Sequence, residues 1–218
     1  TSHMKAAEKE TQNPNIIGID NGDGNIVDQD GCIRPSTTLE SMARLPLAFD
    51  ESGTVTAATS SPLTDGAVAM VVCSQDFAHR VKLGSTSKIL GGCVVGVHPN
   101  VMGLGPINAG RKLSHLTGID ISDIDVFEVN EAFASQSIAT IRDLKLDPEK
   151  VNCHGGAISI GHPLGASGAR IIGQSCHILE TEEKELESKK SEQQAPSDEN
   201  SKKKKGKPSK VSSGSISM

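Results

Sequence analysis

The chain has 218 residues, of which 35% are hydrophobic and 22 are glycine, and its formal net charge is −5. This length suffices for one sizeable domain or for parts of two. No apolar run reaches the ~18 residues that a membrane-spanning helix needs, so a soluble class of protein is expected. The five cysteines include no CxxC pair, which argues against a disulfide framework or a structural zinc site and favours a reducing compartment.

Charge is distributed unevenly along the chain. Residues 188–218 hold eight lysines and three acidic residues, so residues 1–187 carry a formal charge of about −10. An acidic body argues against binding of nucleic acid. The run Lys202–Lys205 could be read as a nuclear signal, but a solvated loop is the better interpretation because the charges follow no patterned face.

The amino-terminal part of the chain predicts short elements joined by turns. Residues 5–12 could form one short helix, and the Asn-, Gly- and Asp-rich stretch 14–31 favours a β-hairpin. Part of that stretch superficially resembles a calcium loop, but it lacks the Glu that should follow the central Gly by six residues. A further helix is predicted over Thr38–Leu45, with Ser36 or Thr37 as its cap.

Strand and helix patterns alternate through the rest of the body. The predicted strands, of which the long apolar ones should be buried, are Thr54–Thr56, Ala67–Cys73, Ile89–Val97, Val126–Val129 and Val151–Cys153. The predicted helices are Pro106–Thr117, Ala132–Asp143 and Gly165–Leu179. Such an alternation implies an α/β layered body. From Glu180 the chain is highly charged, and it should be disordered apart from a possible extension of the last helix.

Two segments carry the candidate chemistry. The sequence VNEAFASQ (129–136, the asparagine segment) places Asn130 at a strand-to-helix junction, where its amide could point into a cleft or cap the helix. The sequence GGAISIGHPLGASGAR (155–170, the histidine segment) surrounds His162 with small residues that let a ligand approach, although a tight turn around a satisfied histidine is the alternative. Together the two side chains could donate to a developing oxyanion, and the histidine could take a proton from a nucleophile.

The other candidate functional residues can also be explained by a purely structural role. Cys153 has a suitable position for a nucleophile, but without a base partner such a cysteine is more often a buried thiol. His154 is better interpreted as a satisfied histidine in a turn. The stretch HPNVMGLGP (98–106) could line an apolar slot with Met102, or simply pack in the core. The residues alone therefore allow an acyl-transfer half-site that lacks an obvious nucleophile.

Several long motifs in a fixed order resemble the thiolases, that is, the acetyl-CoA acetyltransferases and 3-ketoacyl-CoA thiolases. NEAFASQ and GGAISIGHPLGASGAR resemble the two signature loops of that family, and RPSTTLESMARLPLAFDESGTVTAATSS, TDGAVA and HPNVMGLGP resemble further segments of it. The resemblance covers about residues 1–180 and the final five, GSISM, which resemble the strand before the family's Cys-x-Gly motif. It implies the layered αβαβα thiolase fold, here only its carboxyl-terminal part.

The resemblance also implies a division of the chain. We expect a remnant of the loop domain over 1–61, the last helix and strand of the amino-terminal thiolase domain over 62–84, and the carboxyl-terminal thiolase domain over 85–187. A charged disordered insertion should follow over 188–213, and the start of a strand over 214–218.

Site roles are implied residue by residue. His162 matches the family histidine that activates the nucleophilic cysteine and helps form an oxyanion hole, and Asn130 matches the residue that holds the oxyanion-hole water. The expected coenzyme A contacts are Met102 and Phe133 in the pantetheine tunnel, Ser61 near the pantetheine, and Gly161 and Gly165 where the loop approaches the ligand.

The implied activity is acyl transfer between coenzyme A thioesters, either thiolysis of a 3-ketoacyl-CoA or Claisen condensation of acetyl-CoA. The nucleophilic cysteine has no counterpart in this chain, coenzyme A is a substrate rather than a cofactor, and no metal is expected. The family also implies a homodimer or tetramer, with no nucleic-acid partner and no membrane span. The alternative is a non-catalytic thiolase-like protein that binds coenzyme A or a protein partner.

Overall fold

The computed structural model describes residues 5–7, 16–84 and 86–194. The chain divides into two units, Thr1–Thr181 and Glu182–Met218, and the contacts discussed below all lie in the first unit. Residues 5–7 are helical, as the first predicted helix requires. Residues 8–12 of that predicted helix and the predicted strand at 214–218 lie outside the described residues.

The predicted β-hairpin is confirmed. Strands β1 (Ile19–Asp20) and β2 (Ile26–Val27) are antiparallel, with Ile19 opposite Val27. The Asp20 carboxylate accepts hydrogen bonds from the backbone of Gly22 at 2.8 Å and Gly24 at 3.2 Å, so it stabilises the turn. Within the described part of the chain, no group of three or more His, Cys, Asp or Glu side chains is arranged to hold a metal ion.

Helix α1 (Leu39–Ala43) begins later than the sequence predicts. Its cap is Thr38 rather than Ser36 or Thr37, because Thr38 and Ser41 form a reciprocal capping box with hydrogen bonds of 3.1 and 3.0 Å. The next helix, α2 (Gln75–Val81), is capped by Ser74, whose hydroxyl accepts from the backbone of Phe77 at 3.2 Å.

Two apolar runs predicted to be buried strands are neither strands nor buried. Segments 67–73 and 89–97 (the apolar segments) have no regular secondary structure, and the side chains of Val71 and Val94 are 87% and 85% exposed. A strand forms only where a neighbour accepts and donates its backbone hydrogen bonds, and the β1–β2 hairpin is the only sheet among the described residues. The predicted strand Thr54–Thr56 likewise reduces to a single bridge between Thr56 and Leu47.

The two central helices form close to their predicted bounds. A 3₁₀ helix at Pro99–Leu104 leads into α3 (Gly105–Thr117), and α4 spans Ala134–Leu144. The two helices are in contact: a Cβ on Gly110 would lie 2.9 Å from a methyl group of Leu144. An ion pair between Arg111 and Asp143 joins them at the surface.

A parallel bridge joins the residues that precede α4 to those that follow it, and it brings the asparagine and histidine segments to the same side. Phe127 pairs with Val151, with backbone hydrogen bonds of 2.9 Å from Phe127 to Lys150 and from Asn152 to Phe127. The predicted strands Val126–Val129 and Val151–Cys153 are thus reduced to this bridge. Since it is parallel, the residues that follow each half emerge on the same side.

The last two helices begin within the histidine segment. Helix α5 (Ala157–Ile160) is short, and α6 (Leu164–Gln194) continues well past the predicted end at Leu179. Its extension is rich in Glu, Lys and Gln, which favour helix, and it includes the first residues of the segment predicted to be disordered over 188–213. The remaining 3₁₀ helices are Ala57–Thr59, Ile121–Asp123 and Pro148–Lys150.

The buried core consists mainly of small residues from the carboxyl-terminal part of the first unit. Its hydrophobic members are Ala6, Ala78, Ile107, Leu146, Val151, Ala157, Ala166 and Ile178, and its polar members are Glu131, Ser137, Thr140, Asn152, Ser159 and Ser167. Most of these polar residues lie in or beside the asparagine and histidine segments, which are therefore packed as interior structure and not as free loops.

Candidate active site

The fold brings together the two residues on which the sequence places the chemistry. Asn130 follows the Phe127 bridge, and His162 lies between α5 and α6. Their side chains meet with Asn130 Nδ2 3.1 Å from His162 Nε2, although 32 positions separate them in the sequence. Both side chains are partly buried, so the contact is shielded from bulk solvent.

The hydrogen bonds around His162 select one tautomer. An amide nitrogen can only donate, so His162 Nε2 accepts from Asn130 and carries no proton in this arrangement. Nδ1 then carries the proton and donates to Ser167 Oγ at 2.6 Å. The Ser167 hydroxyl donates in turn to the carbonyl of Pro163 at 3.1 Å, which completes the chain of donors and acceptors. His162 Nε2 is therefore the basic nitrogen of the ring.

Hydrogen bonds hold the backbone at the carbonyl of Asn130 and at Val129, the residue before it. Gln136 Nε2, in the first turn of α4, donates to the Asn130 carbonyl at 2.8 Å. Asn152 spans Val129, accepting from its N–H at 2.8 Å and donating to its carbonyl at 2.9 Å. Asn130 Oδ1 is buried and has no hydrogen-bond partner among the described residues, so one acceptor of this side chain is left for another donor.

Glu131, next to Asn130, joins the two segments. Its carboxylate accepts from Asn152 Nδ2 at 2.9 Å and from the backbone N–H of Ile158 in α5 at 3.1 Å. A Cβ on Gly156 would overlap this carboxyl group, so only glycine fits there. Asn152 itself has a left-handed backbone conformation, with φ of 47°, which asparagine tolerates better than most residues.

The backbone before His162 is fixed by a close contact and a partly buried cation. Gly161 has φ of 90°, and a side chain on it would overlap Thr64. Arg170, one helical turn beyond Ser167 in α6, donates to the carbonyl of Gly161 at 3.0 Å. Contact with Thr64 and the backbone conformation therefore both favour glycine at position 161.

A cavity of about 540 Å³ lies beside the asparagine segment. Its lining includes Met102 and Phe133, both predicted to contact coenzyme A, together with Phe49, Pro99 and Pro106. The ring of Phe49 packs edge-on against Phe133, with centroids 6.1 Å apart. A concave, mainly apolar site of this size is typical of ligand pockets.

Ser61 lies against the asparagine segment but does not line this cavity. Its backbone N–H donates to Ala132 at 3.1 Å, and the preceding Ser60 forms an antiparallel bridge with Phe133. The structure thus places Ser61 next to Phe133. Gly165, at the start of α6, instead lines a separate surface depression with Thr64 and Pro163.

Cys153 and His154 have the hydrogen bonds expected of structural residues. The Cys153 thiol donates to the carbonyl of Glu149 at 3.2 Å. His154 Nδ1 lies 2.7 Å from Gln174 Nε2, which can only donate to it. The His154 contact supports the satisfied histidine that the sequence favours, whereas Cys153 is only partly buried.

A partly buried charge cluster surrounds Arg170. Burial raises the pKa of Glu128 to about 7, an effect that the neighbouring Arg170 cation counteracts and Glu131 reinforces. Burial also lowers the pKa of the Arg170 guanidinium, which the carboxylates of Glu128, Asp30 and Glu131 partly restore. The cation that binds the Gly161 carbonyl is thus itself held among acidic groups.

Sequence reasoning missed Glu131, Asn152, Ser167 and Arg170. Glu131, Ser167 and Arg170 belong to the asparagine and histidine segments, but their contacts depend on residues between 5 and 27 positions away. Asn152 carried one local signal, since an asparagine followed shortly by two glycines is typical of left-handed backbone. Its contact with Val129 depends on the pairing of the two bridge residues and could not be anticipated.

Comparison with known proteins identifies the family. The model of the thiolase C-terminal domain matches residues 83–189, and that of the thiolase N-terminal domain matches residues 1–76. A 3-ketoacyl-CoA thiolase of Marinobacter nauticus is 48% identical over 165 residues, which are 74% of this chain and 42% of that protein. An acetyl-CoA acetyltransferase of Shinella zoogloeoides is 51% identical over 146 residues, 67% of this chain and 37% of that protein.

Solved structures agree with these matches. Human mitochondrial 3-ketoacyl-CoA thiolase superposes with a TM-score of 0.78 at 36% identity, over 83% of this chain and 47% of that chain. The same human enzyme in complex with CoA superposes with a TM-score of 0.78 at 37% identity, over 83% and 46% of the two chains. The chain therefore spans about half the length of the relatives it matches, and the predicted thiolase-like α/β fold is confirmed for that part.

The family models, the curated relatives and the solved structures all point to the same group of proteins that the two signature segments resemble. Among the described residues, none of the helices combines the length and the apolar character needed to cross a membrane. The chain belongs to the thiolase family.

Proposed function

We propose that the protein containing this chain is a thiolase that transfers acyl groups between coenzyme A thioesters. The reaction is thiolytic cleavage of a 3-ketoacyl-CoA or the reverse condensation of acetyl-CoA, through a cysteine nucleophile that lies outside this chain. The single observation that carries the proposal is the Asn130–His162 pair, whose histidine presents an unprotonated Nε2. Coenzyme A is the substrate, and the proposed reaction needs no cofactor.

In the proposed mechanism His162 acts first as a base. Nε2 takes the proton of the nucleophilic thiol, and the thiolate attacks the carbonyl carbon of the substrate. The imidazolium that results can donate to the oxygen on which negative charge develops. The Nδ1–H bond to Ser167 keeps the ring in one orientation through both steps.

Asn130 supports both protonation states of His162. In the neutral state its Nδ2 donates to the ring. When Nε2 is protonated, that donor is no longer accepted and becomes available to a water or to the oxyanion, while the free Oδ1 can accept a hydrogen bond. A second cysteine, which the family resemblance also implies, would move the proton of acetyl-CoA as it leaves or attacks.

The cavity beside Phe133 supports an acyl-CoA as the ligand. Met102 is 71% exposed and is available to contact the pantetheine arm, and the human relative has been solved in complex with CoA. A homodimer or tetramer is part of the same proposal and is tested by light scattering on the full-length protein.

The test of the function is His162→Ala in the full-length protein. We expect thiolysis to fall roughly 10²–10⁴-fold, because the variant loses its general base. The matched control is His115→Ala, which removes an exposed histidine from the last turn of α3. Wild-type-like turnover in His162→Ala would contradict the assignment, and coenzyme A binding without turnover in the unaltered protein would favour the non-catalytic alternative.

A further inference from the structure

One buried carboxylate, which belongs to the asparagine segment, also contacts the histidine segment. Glu131 is 9% exposed. Its two oxygens accept from different parts of the chain, Asn152 after the second bridge residue and Ile158 in α5. A buried carboxylate needs such donors, because its desolvation is otherwise unfavourable. The sequence distances of 21 and 27 positions show that these contacts are tertiary and not local.

The contacts of Glu131 fix the segments on which Asn130 and His162 lie. Glu131 is bonded directly to Asn130, and Ile158 precedes His162 by four residues. Asn152 carries the restraint back to Val129 through two hydrogen bonds, so both neighbours of Asn130 are bound to the same side chain. Any displacement of this carboxylate would therefore change the separation of Asn130 Nδ2 and His162 Nε2.

Two further features show that the surroundings are built around this carboxylate. Gly156 has no room for a side chain because the Glu131 carboxyl group occupies that space. The Arg170 guanidinium, which binds the Gly161 carbonyl, lies close enough for the charge of Glu131 to influence it. The carboxylate is thus accommodated by one side-chain and one backbone donor, by a missing Cβ and by an opposite charge.

From this arrangement we infer that Glu131 is a positioning residue, which sets the Asn130–His162 distance by joining the asparagine and histidine segments through Asn152 and Ile158. In this role it acts through the other two residues. The inference rests on the proposed function for its kinetic consequence, but its geometric content concerns this chain alone.

The test is Glu131→Gln in the full-length protein. The amide keeps the shape of the side chain, but its nitrogen faces a donor, either Asn152 Nδ2 or the Ile158 N–H, whichever way it is oriented. We expect kcat to fall roughly 10²-fold, since a small misplacement of catalytic groups can have that effect, with KM for coenzyme A little changed. The matched control is Glu149→Gln, an exposed acidic residue three positions before Asn152.

A second readout does not depend on activity. In ¹⁵N-histidine-labelled full-length protein, the His162 resonances, identified by their absence in His162→Ala, should show an unprotonated Nε2 and a protonated Nδ1. Glu131→Gln should shift the Nε2 resonance, because the donor from Asn130 moves away. Unchanged His162 resonances in a folded Glu131→Gln variant would overturn the inference, whether or not the protein is a thiolase.

Gly156→Ala keeps the inference testable if Glu131→Gln does not fold. The added methyl group displaces the carboxyl group while leaving its charge intact, so the same loss of kcat and the same resonance shift are expected. Its control is Gly173→Ala in α6, where an added Cβ meets nothing within 4 Å. Normal kcat together with normal His162 resonances in Gly156→Ala would overturn the inference. Absence of thiolysis in the unaltered protein would instead overturn the proposed function, and the resonances would still decide the role of Glu131.

Discussion

The region 127–170 and the apolar segments differ in where their hydrogen-bond partners lie. In the first, many backbone groups and polar side chains are paired within the chain: Phe127 with Asn152, Glu131 with Ile158, and Arg170 with Gly161. In the second, segments 67–73 and 89–97 pair with no strand among the described residues, and valines such as Val71 are exposed to solvent. A site made of side-chain contacts can form within one part of a protein, whereas a strand requires a neighbour.

This difference matters for function because the chain spans about half the length of its relatives. The Asn130–His162 pair, its tautomer and its supporting contacts are all present in that half. The apolar segments have strand composition but no partner in the structure described. We therefore expect the histidine side of the site to be largely independent of the rest of the protein, and the apolar segments to depend on it.

The largest expected effect is a loss of activity on mutation of the region 127–170. Replacing Asn130 with Ala in the full-length protein should lower kcat about 10²–10³-fold, the usual effect of removing one donor from an oxyanion site. KM for coenzyme A should change little, because Asn130 contacts His162 and lines no part of the cavity beside Phe133. Steady-state kinetics measures both parameters. An Asn130→Ala variant that loses affinity but keeps kcat would contradict this division between chemistry and binding.

The charge cluster around Arg170 should make stability depend on pH. Because the pKa of Glu128 is raised from 4.5 to about 7 in the folded protein, the folded state binds a proton more tightly than the unfolded state. The resulting stabilisation is fully present below pH 4.5 and is lost as the pH rises through 7. The shift corresponds to about 3 kcal/mol at most.

Glu128→Gln tests this pH dependence. The variant should be less sensitive to pH between 5 and 8 and should gain stability relative to the unaltered protein at the upper end. Urea denaturation at several pH values measures the difference. Parallel stability curves for the two proteins would show that Glu128 titrates normally and that the cluster does not strain the site region.

A smaller effect is expected where the backbone approaches Thr64. Gly161→Ala would force a side chain into a left-handed conformation and against the Thr64 side chain, and we expect a loss of about 1–3 kcal/mol. Thermal unfolding compared with Gly168→Ala, a helical position with open space around it, provides the measurement. If both variants unfold at the same temperature, the contact with Thr64 does not contribute to the rigidity of the histidine segment.

The smallest free energy of local opening should be found in the apolar segments. In the 218-residue chain their backbone amides should exchange with solvent almost freely, because opening them breaks no strand pairing. The amides of Phe127 and Asn152, which form the parallel bridge, should be protected. Hydrogen exchange read by mass spectrometry or NMR distinguishes the two regions.

Hydrogen exchange in the full-length protein tests whether the apolar segments gain protection from the rest of the protein. There we expect segments 67–73 and 89–97 to become protected, since apolar β-branched runs are typical of strands buried on both faces. Fast exchange of these segments in the full-length protein would mean that their exposure is intrinsic and not a consequence of missing neighbours.

The sequence was sufficient for elements that depend on local signals. Helices α3 and α4 are encoded by their periodicity, and the hairpin by the Asp20 turn with its glycines. The motifs around Asn130 and His162 also identified the family and the pair of residues to examine. These features could be predicted because each depends on residues close together in the chain, or on a motif long enough to be specific.

Only the tertiary structure decided how the pair is held. The contacts of Glu131, Asn152 and Arg170 depend on which strand residues pair across α4, and no local pattern specifies that pairing. The predicted strands Ala67–Cys73 and Ile89–Val97 were wrong for a related reason. Their composition favours strand, but backbone hydrogen bonding and burial belong to the whole arrangement of neighbouring segments, and a single segment cannot supply them.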